Sequence, residues 1–364
     1  MDRVALVVNG LRYEGWKAVR VTRSIESIAG SFELDVSDRW GDGAPWPIAE
    51  EDACRVEIND TTVIDGYVDK RRQSATGAAR TLGYVGRDRA ADLVDCSAIV
   101  DAGNVSKGKW TFYNVNVFEL ATKIAEPHNV KVSVQAGLAG LLTRDKKVVV
   151  HPGDTCFEVI ARVAGAAGVL VVSDGAGGIV ITRAGTARAT SLVEGQNIYA
   201  ASTEFDATDR FRRYLISSQV PGTDEASGEA TRVQAEAADT GVRRANRVTL
   251  IRPDKGYSVP DSRRRADWEA RIRAARAEKV TITVLGWTQP DGKLWPINSV
   301  TRVRAPNSIA VDGDMLISQV THAISEAGKI TELGLVRPDA FTPEPSATVR
   351  PAEGAWKELA GGGL

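Results

Sequence analysis

Apolar and polar positions alternate with a period of two through much of the first ninety residues. Between residues 32 and 37, apolar side chains alternate with Glu33, Asp35 and Ser37, and residues 54–59 repeat the pattern. This period is typical of a strand with one buried and one solvated face. Turn-forming residues separate the runs at 9–10, 41–47, 59–60 and 65–66. We therefore predict an antiparallel barrel or sandwich for this region.

The middle of the chain combines helix and strand patterns. Behind the predicted cap Asn116, apolar residues fall at helical spacing, with Glu119 three residues further on and Pro127 closing the helix. A second helix is predicted from near Asp154, and glycines at 165 and 168 end it. Its predicted apolar stripe is Phe157, Ile160, Ala161 and Ala164. Residues 169–172 and 179–182 are predicted to form a hairpin around four small residues, 175–178.

The last third returns to strand patterns, with one interruption. Residues 197–220 look extended, residues 221–240 have the small and charged composition of a mobile loop, and residues 261–279 read as a helix rich in arginine and alanine. Strand signals resume at 280–284, 315–320 and 330–335, with turns predicted at Asp291-Gly292 and Asp312-Gly313. The prolines and glycines of 342–364 indicate a tail. The two β regions resemble each other in layout, but counting identities does not establish a repeat.

These patterns predict a mainly β chain with α+β insertions. The predicted domains are a first β region at residues 1–95, an α+β domain at 96–190 and a second β region at 191–340. A loop and helix excursion at about 221–278 interrupts the second β region, and residues 341–364 form the tail.

Composition and charge narrow the classes of function. The chain has 46 Lys and Arg against 47 Asp and Glu, which gives a net charge of −1 and argues against a protein that grips nucleic acid phosphates. Its three cysteines are far apart and belong to no CxxC pair, as expected of buried thiols made in a reducing compartment. The N-terminus lacks the apolar stretch of a signal peptide, and Arg162 interrupts the longest apolar run. We expect no membrane span and synthesis in the cytoplasm.

Candidate catalytic groups are weak at the level of sequence. His128, His151 and His322 are scattered, without thiols or carboxylates at ligand spacing. The grouping of His151, Asp154 and Cys156 could suggest a nucleophile, but Cys156 lies on the apolar stripe of a predicted helix and is interpreted as a core thiol. We predict no catalytic residue, no cofactor-binding residue, no metal site and no cofactor.

Two further features have a structural and a catalytic or ligand-binding interpretation. The glycine run at 175–178 could cradle a phosphate only if a helix followed, and a strand pattern follows instead. Paired carboxylates of a glycan-cleaving site could be supplied by Asp92 and Asp95 or by the acidic run 50–52, but no aromatic subsite pattern accompanies them. A hairpin turn and solvated carboxylates are therefore the favoured interpretations.

The basic and aromatic residues that stand out are assigned to surface and core. An arginine group on the predicted helix alternates with acidic residues and is interpreted as a solvated face with i,i+4 ion pairs. Its members are Arg263, Arg264, Arg265, Arg271, Arg273 and Arg276. Contact with an acidic neighbouring subunit is the alternative. Trp16, Trp287 and Trp295 are interpreted as plugs of barrel ends, with interface anchoring as the alternative.

Four segments, taken in order, resemble a known family. The first segment is Val7-Val8-Asn9-Gly10 through Gly15-Trp16 to Ser24-Ile25-Glu26, followed by Ser31-Phe32-Glu33-Leu34. The second is Tyr84-Val85-Gly86-Arg87-Asp88, followed by Asp92-Leu93-Val94-Asp95-Cys96-Ser97-Ala98. The third segment is Gly153-Asp154-Thr155-Cys156-Phe157-Glu158, followed by Gly168-Val169-Leu170. The fourth is Trp295-Pro296-Ile297-Asn298, followed by Leu316-Ile317-Ser318-Gln319-Val320 and then by Leu335-Val336-Arg337-Pro338-Asp339-Ala340-Phe341. The set resembles the baseplate hub proteins of Mu-type contractile phages and, more distantly, the hub part of type VI secretion spike proteins.

This resemblance implies both a fold and a role. Such hubs carry two barrels similar to tail-tube subunits, with smaller domains inserted, and three copies form a pseudo-sixfold ring. The ring would join a central spike to the tail tube, contact other baseplate proteins and let DNA pass transiently through its bore. The expected location is the virion baseplate, after assembly in the host cytoplasm. The alternatives are a tail-associated cell-wall glycan hydrolase and a carbohydrate-binding β protein.

Overall fold

The chain divides into two compact units in a computed structural model that describes residues 2–38, 46–75, 80–99, 110–219, 232–253, 258–325 and 328–345. The first unit consists of residues 1–205 and 278–342, and the second of residues 206–277 and 343–364.

Strands dominate the first unit. Its strands are β1 (Val4–Val8), β2 (Leu11–Tyr13), β3 (Ala18–Ser24), β4 (Ser31–Asp38), β5 (Ala53–Ile58), β6 (Thr61–Ala75), β7 (Arg80–Asp88), β8 (Thr111–Asn116), β9 (Lys131–Val134), β10 (Arg144–Val149), β11 (Leu170–Ser173), β12 (Gly178–Thr182), β13 (Leu192–Val193), β14 (Ala200–Phe205) and, after the second unit, β18 (Glu278–Leu285), β19 (Val300–Ala305), β20 (Val311–Ser325) and β21 (Gly328–Val336). The second unit contributes β15 (Arg213–Gln219), β16 (Arg232–Ala238) and β17 (Val248–Ile251). The helices are α1 (Ala91–Asp95), α2 (Val117–Ala125), α3 (Cys156–Ala167) and, in the second unit, α4 (Val259–Arg276).

Thirteen strands of the first unit form one continuous, largely antiparallel sheet. The main path is β14-β18-β21-β20-β3-β4-β7-β6-β5-β1-β2, and β19 and β13 extend from β20. This arrangement confirms the prediction of a mainly β fold with α+β insertions. Strand pairing among the described residues does not close either β region into a barrel, because β2 and β14 each pair with a single strand.

The sheet contains the same strand arrangement twice. The order β3-β4-β7-β6-β5 in the first β region corresponds to β14-β18-β21-β20-β19 in the second. Four of the five pairs of corresponding strands agree in length: β4 and β18 have 8 residues, β5 and β19 have 6, β6 and β20 have 15, and β7 and β21 have 9. The remaining pair differs by one residue, with 7 in β3 and 6 in β14. Since unrelated sheets rarely share both order and lengths, the chain carries an internal structural repeat.

A bulge gives the exact alignment of the two halves of this repeat. The pairing of β6 with β7 slips at Asp69, and the pairing of β20 with β21 slips at Ser318. Such a slip inserts one extra residue and bends the strand. The segments Trp46-Pro47-Ile48, ahead of β5, and Trp295-Pro296-Ile297, ahead of β19, are separated by as many residues as the two bulges are.

Each half of the sheet has its own apolar core. Phe32, Leu34 and Tyr84 are buried in the first half, and Ile282 and Leu333 in the second. These side chains come from alternate positions of their strands, as the period-two pattern requires.

The α+β part of the first unit has a separate core beneath α2 and α3. Asn116 caps α2 and Thr155 caps α3, each in a reciprocal capping box with a glutamate three residues on. Gly168 ends α3 in the left-handed conformation, at φ 66°. Both predicted helices are confirmed, but Gly165 lies inside α3. The buried stripe of α3 is Cys156, Val159, Ile160, Val163 and Ala164, which differs from the predicted stripe because Phe157 and Ala161 are only partly buried.

The second unit is a three-stranded sheet, β16-β15-β17, covered on one face by α4. Ile216, Ala237 and Ala266 form its buried centre. Helix α4 begins at Val259, two residues before the predicted start, because Ser258 caps it in a capping box with Asp261. No described helix is both long and apolar enough to cross a membrane.

Three local predictions were wrong. Residues 232–238 of the predicted loop form β16, because pairing with β15 and contact with α4 outweigh the low β propensity of alanine and glutamate there. The predicted turns at 65–66 and 312–313 lie inside β6 and β20. Gly66 is needed there because a Cβ would collide with the Arg87 carbonyl oxygen. Residues 221–231 of the predicted loop and 346–364 of the predicted tail lie outside the described residues.

Candidate assembly surfaces

The buried thiol of Cys156 is not arranged as a nucleophile. His128, rather than His151, reaches it, with Nε2 3.5 Å from Sγ. Burial raises the pKa of Cys156 to about 11, whereas a catalytic thiol needs a lowered pKa. His151 instead donates its backbone N–H to Asp154, at 3.0 Å. The described residues contain no group of three or more histidine, cysteine or acidic side chains that could hold a metal ion.

Backbone N–H groups of the glycine hairpin between β11 and β12 are already engaged in hydrogen bonds within the hairpin. Asp174 accepts hydrogen bonds from the backbone N–H of Ala176, at 2.7 Å, and of Gly178, at 2.9 Å. A phosphate would need those N–H groups and a following helix, neither of which this turn offers. The predicted hairpin is confirmed.

The hairpin is packed into the first β region through a buried polar contact. Arg23 of β3 donates to the Ser173 carbonyl oxygen at 3.1 Å, and the desolvation of its guanidinium lowers its pKa. A Cβ at Gly175 would lie 2.8 Å from Cζ of Arg23 and 2.9 Å from the Val63 carbonyl oxygen. Asp88 of β7 accepts a hydrogen bond from the Ser173 side chain of the hairpin and another from the Gly30 amide, the latter at 2.7 Å. These contacts fix the α+β part against the sheet.

Two of the carboxylates considered for glycan cleavage form ordinary ion pairs, and a third accepts a backbone hydrogen bond. Asp95 accepts from Arg87 at 2.7 Å, and this hydrogen bond lowers the pKa of Asp95. A general acid for glycoside cleavage needs a raised pKa instead. Glu50 lies 3.4 Å from Arg71, and Asp52 accepts from the Ala49 amide. These contacts favour a surface role for the acidic residues.

The arginine-rich helix α4 carries the ion pairs that its sequence predicts. Arg265 and Arg273 both contact Glu269 with i,i+4 spacing, at 2.7 and 2.8 Å, and Arg263 reaches Asp267 at 3.4 Å. Glu269 is buried, so its two arginines compensate the desolvated charge. Several arginines of α4 therefore form ion pairs within the second unit.

The three singled-out tryptophans are core residues. Trp16 and Trp287 lie in the core of the first half of the sheet, and Trp295 in the core of the second. Trp287 is 1% exposed and donates its indole N–H to the Ala323 carbonyl oxygen at 3.1 Å. The predicted burial is confirmed, and anchoring of a partner by these rings is not supported.

Sequence reasoning missed the contact that joins the two halves of the sheet. We call it the central joint: residues 20–24 of β3 pair antiparallel with residues 319–323 of β20. Thr22 and Thr321 lie directly opposite, with their hydroxyl oxygens 3.0 Å apart. Arg20 reaches across to Glu332 at 3.0 Å. The repeated Trp-Pro-Ile signal was the available clue that two equivalent sheets exist.

The central joint is buried where β20 receives β3. Val320, Thr321, His322 and Ala323 are each at most 6% exposed. The bend at the Ser318 bulge allows β20 to pair with β19 over its first half and with β3 over its second. One long strand thereby serves both halves of the repeat.

Family models match three segments of the chain in order. Residues 3–88 match the N-terminal domain of the GpP-like Mu phage baseplate assembly protein, residues 90–183 the second domain of the gp44-like baseplate hub protein, and residues 258–344 the fourth domain of GpP. The baseplate hub protein gp44 of Escherichia phage Mu is 30% identical over 352 residues, which cover 93% of this chain and 89% of that protein.

Solved structures agree with these matches. The 43 kDa tail protein of prophage MuSo2 from Shewanella oneidensis is 30% identical, with a TM-score of 0.80 over 93% of this chain and 99% of that one. A tail protein of Neisseria meningitidis MC58 shares the fold at 21% identity, with a TM-score of 0.75 over 94% and 98% of the two chains. A type VI secretion component of E. coli, described as similar to bacteriophage tail proteins, shares it at 11% identity and 0.55, over 94% and 79%. The chain therefore belongs to the baseplate hub protein family of Mu-type phages, as a structural component of the tail baseplate.

Proposed function

We propose that this hub protein works as a homotrimeric, pseudo-sixfold ring that joins the central spike to the tail tube. The observation that carries the proposal is the internal repeat, in which β3-β4-β7-β6-β5 recurs as β14-β18-β21-β20-β19. Three chains with two equivalent sheets each would present six similar elements toward a sixfold tube and three identical chains toward a threefold spike. Closed rotational symmetry is the usual solution for such assemblies.

The proposed ring defines the partners and the passage. Its neighbours would be the spike, the tail tube or an adjacent tail protein, and other baseplate proteins, and DNA would pass through the bore only during infection. We assign residues 1–95 and 191–340 to the two tube-like β domains, 96–190 to the α+β domain, about 221–278 to the excursion and 341–364 to the tail. Assembly would take place in the host cytoplasm.

We further propose that the chain has no enzymatic activity. The candidate nucleophile Cys156 has a raised pKa, and the candidate acid Asp95 has a lowered one, the opposite of what each reaction requires. The alternative of a cell-wall glycan hydrolase predicts clearing of a peptidoglycan zymogram by the purified protein. We expect no clearing.

Absolute mass by light scattering tests the ring. For the protein alone at high concentration, we expect a species of three times the 39.0 kDa chain mass, and after addition of the spike protein, three chains plus the bound spike. A trimer interface of an obligate assembly buries on the order of 2,000 Å² or more in total. A mass of one chain under both conditions would overturn the proposal.

A further inference from the structure

The two strands that correspond to those of the central joint do not pair with each other within the chain. The repeat relates β20 to β6 and β3 to β14, so the second half of β6 and the strand β14 should form an equivalent joint. Among the described residues of one chain, β14 pairs only with β18, and β5 pairs with β6 only as far as Tyr67. No described strand lies beyond Tyr67 on the edge of β6 that faces away from β7.

The repeat also fixes the register of this second joint. The shared bulge aligns Ser318 with Asp69, so Thr321 of the central joint corresponds to Arg72. On the other strand, Val21 lies opposite core residue Phe32, and Thr203 lies opposite the corresponding core residue Val280. Thr22 and Arg23 of the central joint therefore correspond to Glu204 and Phe205.

Exposure separates the two joints. The second half of β20 is buried by β3, whereas residues 69–75 of β6 are all exposed. On β14, Glu204 is exposed, and the Phe205 side chain is 65% exposed, which is unusual for so large an apolar ring. Both edges thus remain accessible in one chain, and an accessible strand edge is a template for pairing with another chain.

We infer that β14 of one copy pairs antiparallel with the second half of β6 of the next copy, in the register of the central joint. Because Thr22 lies opposite Thr321, Glu204 of one copy faces Arg72 of its neighbour, and Phe205 faces Arg71. The first pair has opposite charges, and the second can place a guanidinium over a ring. The pairing is head-to-tail, and with the rotation that the proposed trimer requires, three copies close into a ring and leave none of these edges exposed. The inference rests on the proposed trimer.

A second copy of this chain fits these edges better than an unrelated strand. The occupant has to match the twist and bend that β6 shares with β20, and β14 is the strand that the repeat makes equivalent to β3. The charges match as well, since the incoming strand carries Glu204 and the receiving edge carries Lys70, Arg71 and Arg72, of which Arg71 also contacts Glu50 and Arg72 also contacts Glu33 within the chain. Charge complementarity of this kind fixes register and rejects wrong partners.

Charge reversal in the full chain tests the pairing. We expect Glu204→Arg to place two arginines opposite each other at all three contacts and to raise the protein concentration at half-assembly by about tenfold or more. The double variant E204R/R72E should recover most of that loss. Arg55→Glu on β5 is the matched control, because Arg55 is exposed on the same sheet but outside the proposed contact. It should assemble like the unmodified chain. Circular dichroism confirms that each variant is folded.

Cross-linking gives an independent readout of the same register. With Arg72→Cys and Glu204→Cys in one chain, directly opposed positions lie roughly 5 Å apart between Cβ atoms, within reach of a short bis-maleimide. A covalent trimer should form, whereas each single variant and the pair R55C/E204C should give none above the background of the native thiols.

The outcomes separate the inference from the proposed function. If the unmodified chain is a trimer but E204R assembles equally well, or the double variant recovers nothing and the cysteine pair does not cross-link, the pairing is overturned and the ring stands. If the unmodified chain stays monomeric with and without the spike, the ring fails, and the inference fails with it.

Discussion

Acidification should destabilise the first unit through one buried histidine at the central joint. His322 of β20 lies opposite Val21 of β3 and Thr331 of β21, and its ring contacts Trp287 edge-on at a centroid distance of 6.4 Å. Its Nε2 is buried and has no hydrogen-bond partner among the residues that the structure describes. Burial lowers the pKa of His322 to about 4, with a smaller contribution of the same sign from Arg23 and opposing contributions from the backbone of Trp287 and from Asp2.

The size and direction of the effect follow from the two protonation states. In the unfolded chain, His322 takes up a proton as the pH falls through 6.5, whereas the folded chain resists protonation until about pH 4. The free energy of unfolding therefore decreases as the pH is lowered from 6.5 to about 4, and this group does not change it at higher pH. At pH 5 the loss amounts to about 2 kcal/mol relative to pH 7.5.

Urea unfolding of the full chain, followed by tryptophan fluorescence at pH 7.5 and pH 5, measures this loss. Other groups titrate in the same range, so the informative quantity is the difference between the unmodified chain and His322→Gln. That difference should shrink by about 2 kcal/mol on acidification, because the variant has no proton to take up at this position. His151→Gln, which replaces an exposed histidine, serves as the control and should follow the unmodified chain.

A difference between the unmodified chain and His322→Gln that stays constant from pH 7.5 to pH 5 would refute the reasoning. It would mean that the folded protein protonates His322 as readily as the unfolded chain does. The ring would then be hydrated or paired in solution, and the central joint would not be dry.

Two further predictions concern packing and thiol chemistry. Gly175→Ala should lower the free energy of unfolding by about 1–3 kcal/mol in urea titrations, because it combines a positive φ of 77° with a close approach to Arg23. Gly140→Ala, at an open position with ordinary φ, should change it by less than about 0.5 kcal/mol. In the folded protein at pH 8, a thiol reagent should label at most Cys96 quickly. Burial raises the pKa of Cys54 to about 12 and that of Cys156 to about 11, so fast release of three equivalents before denaturation would contradict their burial.

Local patterns predicted the elements better than their partners. The caps Asn116 and Thr155, each with a glutamate three residues later, act within one turn of helix, so residues adjacent in sequence decide the outcome. The wrong turns at 65–66 and 312–313 have the residues of a turn but lie in strands 15 residues long. Tertiary pairing decides those positions, and a sequence window does not contain it.

The central joint lay beyond local reasoning for the same reason. It pairs Thr22 with Thr321, which are 299 residues apart, and neither residue carries a motif. What the sequence did contain was the pair of Trp-Pro-Ile segments and two similar β regions. A repeat recognised from them would have implied equivalent edges, but only the observed pairing of β3 with β20 says which edges meet and in what register.

The receiving edges of the two joints differ in composition, as expected if one is covered during folding and the other during assembly. The receiving edge of β20 carries Val320, Thr321 and Ala323 and is covered as soon as the chain folds. The equivalent edge of β6 carries Lys70, Arg71 and Arg72, and it stays in water until a neighbour arrives. Charged residues on an exposed strand edge discourage indiscriminate pairing, which an apolar edge would invite. A partner strand that presents Glu204 at the matching position turns the same charges into a means of selection. The receiving edge of the intrachain joint can therefore be uncharged and permanently covered, while its interchain counterpart remains charged and selective.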